Sequence, residues 1–191
     1  MKTVQPIFIV GIGGSAGALN AYKALLEAMP HDTGMAFVII SHMNPTAHSQ
    51  LAKILQRHTK MLSIIAAEAM PILANHVYII PPDSDLTMDN YSFNVISPRI
   101  SRGKQVDLFF ISLANEMGAR AVGIVLSGYF SDGTIGCKHI KANGGTTFAQ
   151  DMSAEVHSMP LSVQAAGYAD FVLPLNKIPA KLKRLAAALK I

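Results

Sequence analysis

Apolar side chains in this chain come in short unbroken runs separated by amphipathic stretches. Ile7-Phe8-Ile9-Val10, Met35-Ala36-Phe37-Val38-Ile39-Ile40 and the run 121–126 show no polar alternation, the pattern of strands covered on both faces. Between them, 18–29 reads as a helix stopped by Pro30, and Thr46 opens a second with Leu51, Ile54 and Leu55 on one face and an end near His58. Short strands are predicted over Leu62–Ile65 and 77–80, the latter ended by Pro81-Pro82. Leu86-Thr87-Met88, a turn at Asp89-Asn90 and the run 91–96 read as an antiparallel hairpin. Helix 106–117, strand 121–126, helix 133–143 closed by Gly144-Gly145, and strand 146–149 follow. Helix 160–166, strand Phe171–Leu173 and helix 179–189 complete the chain. The pattern predicts one α/β domain over 1–191: a doubly wound, mostly parallel, Rossmann-like sheet with an antiparallel hairpin insertion. No linker, internal repeat or low-complexity tract interrupts it.

Composition narrows this picture. Half of the 191 residues are apolar and 15% are charged, which excludes disorder, and the mean hydropathy of +0.32 suits a sheet buried on both faces. No apolar run approaches the ~20 residues of a membrane span. The N-terminus imitates a secretory leader, but its apolar core is too short and glycines break it at once, so a first strand is expected. The single cysteine, Cys137, excludes an internal disulfide, fits a reducing, cytoplasmic setting, and is read as a buried helix residue. A formal charge of +4 without a dense Lys/Arg block, and no tryptophan, favour an acidic protein partner over nucleic acid.

Three predicted strands end at side chains suited to acyl transfer. The first leads to Gly13-Gly14-Ser15-Ala16-Gly17, the second to Ser41-His42, and 121–126 to Ser131-Asp132. Ligands of open α/β sheets bind beyond the carboxyl ends of the strands, so Ser15, His42 and Asp132 form a candidate nucleophile, base and orienting carboxylate. The glycine-rich run fits two patterns. Gly11-x-Gly13-x-x-Ala16 matches a dinucleotide fingerprint, but the second strand ends in Ser41-His42 rather than the required acid, and Asp32 stands at the wrong end. Gly13-x-Ser15-x-Gly17 matches a nucleophile elbow and explains its glycines as tight-turn residues. In the elbow reading, the Ala16 N–H at the helix start serves the oxyanion. His157 remains a rival base and Asp151 a rival orienter. His31, His48, His58, His76 and His139 are read as surface residues, and no histidine–cysteine cluster has zinc spacing, so no metal is expected; acyl transfer completed by water calls for no cofactor.

The motifs Gly13-Gly14-Ser15-Ala16-Gly17, Ser41-His42-Met43, Val77-Tyr78-Ile79-Ile80-Pro81-Pro82-Asp83, Ser131-Asp132-Gly133, 144–151 and Ser158-Met159-Pro160 resemble the catalytic domain of CheB-type protein-glutamate methylesterases nearly end to end. The segment 29–37 is most similar to CheB-like domains fused to CheR-type methyltransferases. The resemblance implies hydrolysis of glutamyl methyl esters on chemoreceptors, often with glutamine deamidation, and puts nucleophile, base and carboxylate on Ser15, His42 and Asp132. It adds the Tyr129 amide to the oxyanion hole. It also implies methylated receptor helices as substrate, with a CheR-type methyltransferase or a receiver domain in trans as further partners. No receiver domain is present in these residues. Met43, Arg99, Arg102 and Met159 are the expected docking residues, the arginines from the basic loop 97–104. Where the family has Met-Gly, this chain has Tyr129-Phe130. That change is expected to narrow the mouth or to alter the turn. Glycine restored at 130 is expected to lose ~0.5–1 kcal/mol through added backbone freedom.

Overall fold

The structure is a computed structural model that describes residues 4–42 and 45–188, the side chains of 45–49 excepted. Its strands are β1 (Ile9–Gly14), β2 (Ala36–Ser41), β3 (Leu62–Ile65), β4 (His76–Ile79), β5 (Asp85–Asp89), β6 (Ser92–Ile96), β7 (Ala121–Val125), β8 (Thr146–Gln150) and β9 (Phe171–Leu173). Its helices are α1 (Ala18–Glu27), α2 (Pro45–Gln56), α3 (Gln105–Met117), α4 (Thr134–Ala142), α5 (Ser158–Ala165) and α6 (Ile178–Ala188). Seven strands form a parallel sheet in the order β3-β4-β2-β1-β7-β8-β9, and β5 pairs antiparallel with β6. The predicted class and the inserted hairpin are both present.

Every residue of β1, β2 and β7 is buried, because helices cover both faces of the sheet. Val10, Ile12, Phe37, Ile39, Val122 and Ile124 point to one apolar layer, shared with α1, α2 and α6. Ile9, Val38, Ile40 and Val125 point to the other, shared with α3, α4 and α5. Period-two alternation within an all-apolar run feeds both layers at once.

Several boundaries differ from the sequence reading by one to four residues, and two of the differences have a clear physical cause. Strand β1 continues through the glycines to Gly14. Gly11 and Gly13 therefore serve packing rather than a tight turn: a Cβ at Gly11 would stand 2.7 Å from Phe110, and one at Gly13 2.5 Å from Val106. Their bare faces let α3 approach the middle of the sheet, so they make no phosphate loop. The hairpin turn is Asn90-Tyr91, one residue later than predicted. Both residues have positive φ, 47° and 56°, as a two-residue primed turn requires. Tyr91 is an unusual choice there; its carbonyl takes the Ile72 N–H and its hydroxyl takes an Arg120 N–H at 2.8 Å.

Candidate active site

Ser15, His42 and Asp132 follow the three adjacent central strands β1, β2 and β7. The β1–β2 register pairs Gly14 with Ser41, so Ser15 and His42 come next on neighbouring strands, and the His42 N–H reaches the Gly14 carbonyl. This is the point where the strand order turns back across β1, the usual position of a ligand crevice in open α/β sheets. Ser15 and His42 line a cleft of about 970 Å³ with Asp83, Arg99, Arg102, Gln105, Tyr129 and Phe130.

His42 Nε2 lies 2.6 Å from Asp132 Oδ2. The carboxylate is fully buried and otherwise held by backbone donors: Val106 N–H on Oδ2, and Asp107 and Gly133 N–H on Oδ1, each at 2.9 Å. Two of those amides belong to the first turn of α3, whose positive dipole end favours an anion. With Nε2 taken, Nδ1 is the ring nitrogen left to serve as base. Behind this pair, Asp107 accepts the Gly136 N–H at 2.7 Å. Burial pushes the Asp107 carboxyl above its usual range against the pull of that bond, and the Asp132 charge adds to the rise.

The serine turn is pinned by Ser127, a residue the sequence reading did not single out. Its carbonyl accepts the Ser15 N–H at 2.9 Å. Its hydroxyl donates to the Ala16 carbonyl at 2.7 Å and accepts from the Val156 N–H at 2.9 Å. Gly17, at φ 74°, then turns the chain into α1. The N–H groups of Ala16 and Tyr129 make no hydrogen bond among the described residues; such free amides can receive an oxyanion.

The rivals and docking residues separate clearly. His157 Nε2 is bonded to the Met152 carbonyl, and Asp151 accepts the Ser153 N–H, so each caps its own loop and the two do not pair with one another. Met159 is fully buried, its N–H bonded to the Gly128 carbonyl. It is a core residue that supports the turn, and the docking role expected of it is corrected. Met43 lies outside the described residues, as does the side chain of His48. Arg99 is held to Asp83 at 3.3 Å, whereas Arg102 makes no ion pair among the described residues. Cys137 is buried and its thiol is pushed well up by that burial, as its helix position predicted.

Their loop has an anchor the sequence did not reveal. Asp85, fully buried at the start of β5, accepts the Ile100 and Ser101 N–H groups at 2.9 Å each and the Ser101 hydroxyl. At the opposite rim, Tyr129 and Phe130 are 56% and 83% exposed. Phe130 adopts φ 67°, the glycine-favouring region. The ring stands exposed at the rim instead of filling the cleft.

The chain that carries this geometry is similar to known proteins. A family model described as CheB methylesterase matches residues 10–182. A Hydrogenovibrio crunogenus protein named protein-glutamate methylesterase/protein-glutamine glutaminase is 34% identical over 93% of this chain, and one of the same name, numbered 3, from Burkholderia thailandensis is 37% identical over 94%. The chain spans about half the length of each, 49% and 52%. The crystal structure of the Thermotoga maritima CheB methylesterase catalytic domain superposes with a TM-score of 0.86 at 30% identity, covering 93% of this chain and 98% of that one.

Proposed function

The chain belongs to the CheB methylesterase family, and we propose that it hydrolyses glutamyl methyl esters, and glutamine side-chain amides, through Ser15, His42 and Asp132. The observation that carries the reading is the 2.6 Å His42–Asp132 bond, built on a buried carboxylate, in the cleft that Ser15 lines. His42 Nδ1 takes the Ser15 proton as Oγ attacks the ester carbonyl. The oxyanion is received by the Ala16 and Tyr129 N–H groups, and the same imidazole returns the proton to departing methoxide. Water, deprotonated by His42, attacks the acyl-enzyme to release glutamate and regenerate Ser15. Asp132 holds the proton on Nε2 and stabilises the imidazolium.

The substrate would be methylated cytoplasmic helices of chemoreceptors, and the setting cytoplasmic; among the described residues no helix is long and apolar enough to cross a membrane. Arg102 and the loop around it supply charge complementary to acidic receptor helices. A CheR-type methyltransferase, or a receiver domain acting in trans, would be the further partners.

Methanol release from methylated receptor tests the reading. Ser15→Ala should lose roughly 10³-fold or more in turnover while keeping its melting temperature, and Asp132→Asn up to ~10⁴-fold by freeing the imidazole to take the wrong tautomer. Wild-type rates in the alanine variant would remove Ser15 from the mechanism.

A further inference from the structure

Phe130 combines two features that neither fold stability nor solubility accounts for. Its φ of 67° strains any side chain with a Cβ, and 83% of its surface is left to water. An exposed phenylalanine is ordinary by itself, but glycine would make this turn without strain. The ring gains little packing in return: its aromatic neighbour is Tyr129, 6.4 Å away between centroids and itself 56% exposed. Strain kept at a cleft residue points to a use for the side chain. Tyr129 and Phe130 line the cleft that holds Ser15 and His42, and Arg102 lines it too, without an ion pair among the described residues. Gly128 fixes the spacing. A Cβ there would stand 3.1 Å from that of Ser15, and two residues of chain carry the Phe130 Cα no more than about 7 Å further. Side chains three and four positions apart on a helix are about 5–6 Å from one another, so Phe130 stands about one helical turn from the attacking serine.

We propose that Phe130, flanked by Tyr129, determines which esters this site selects: its ring receives an apolar side chain three or four positions from the esterified residue on an amphipathic, acidic substrate helix. The proposal rests on the acyl-transfer reading above and adds what the substrate must carry beside its ester. An amphipathic helix presents apolar and acidic side chains within a turn of each other, and the cleft offers a partner for each, the Phe130 ring and the Arg102 guanidinium. The contact removes apolar surface of both partners from water, which favours association in proportion to the area covered. A short ester cannot reach the ring and goes without that contribution. Binding energy from such a remote contact raises kcat/KM for the helix that makes it. A polar side chain at the same helix position would bring no apolar area to the ring.

The test follows methanol release from three substrates. One is N-acetylglutamyl γ-methyl ester. The second is an acidic helical peptide with a single glutamyl methyl ester and leucines three and four positions from it, and the third is the same peptide with alanine in place of those leucines. The wild type should prefer the leucine peptide to the alanine peptide by about 10-fold in kcat/KM. Phe130→Gly, which suits the positive φ, should reduce that preference to within about two-fold. Phe130→Asn, which tolerates the same backbone without an apolar ring, should do the same. A residue that only shapes the turn would change all three rates together and leave the leucine preference intact. A preference that survives in both variants, or a wild type active on the short ester without any preference between the peptides, overturns the proposal and leaves the esterase reading standing. A wild type inert on all three substrates and on methylated receptor overturns both.

Discussion

At the scale of single residues, Phe130 is where this chain pays for its own mouth. A side chain at φ 67° crowds its carbonyl, a cost of about 1–2 kcal/mol that glycine escapes. The expectation that glycine would destabilise considered only chain freedom; the observed backbone reverses its sign. Phe130→Gly should raise stability by about 0.5–1 kcal/mol net, after the ~0.5–1 kcal/mol of added unfolded-state freedom, read as a higher denaturant midpoint at unchanged slope. A lower midpoint would mean that the exposed ring makes contacts worth more than the strain. No hydropathy pattern reveals such a position, because φ belongs to the folded turn and not to the residue type.

At the scale of elements, the basic loop and the hairpin act together. Asp85 of β5 holds the segment that carries Arg99 and Arg102, so it positions the cationic wall without touching substrate. Asp85→Ala would strand two amides and lower stability by about 1–3 kcal/mol. If the wall binds the substrate, KM for methylated receptor should rise several-fold with a smaller change in kcat, and Asp85→Asn, which keeps one acceptor oxygen, should recover part of the loss. A kcat loss at unchanged KM would tie the loop to the triad instead. The arginines were legible in the sequence as a charge cluster, but the aspartate that orders them was not. It lies outside the loop and reads as an ordinary polar strand end until its burial is known.

For the whole molecule, acid stability follows from how the outer strands are joined. Asp170, just before β9, takes the Lys141 ammonium at 2.5 Å on one oxygen and the Thr147 N–H and hydroxyl on the other. Partial burial works to raise this carboxyl, but Lys141 and Thr147 outweigh it and hold it below the usual range. The stabilisation is therefore full above the unfolded carboxylate value near ~3.9 and is lost as pH falls through the lower folded value. Asp107 has the opposite sign: its raised value gives stabilisation at low pH that is lost as pH rises through it. Asp170→Asn should lower the melting temperature at pH 7, and the gap to wild type should close below about pH 4. A gap that persists at pH 2 would assign the effect to packing rather than charge.

Much of this protein is determined locally. Unbroken apolar runs alternating with helical stretches specify a sheet buried on both faces, and the polar residues just past three of those runs make Ser15, His42 and Asp132 the candidate set. Both inferences need only side-chain type and order, because strand burial and strand ends are written in the hydropathy pattern itself. What the tertiary structure alone decides is who stands beside whom: that Gly11 and Gly13 yield to Phe110 and Val106 of α3, and that Met159 is buried. It alone shows that Ser127 pins the serine turn and Asp85 the basic loop. These are contacts between segments far apart in sequence, and composition carries no trace of them. They exist only once the sheet has assembled, helix α3 has docked on it and the loops past its strand ends have come together.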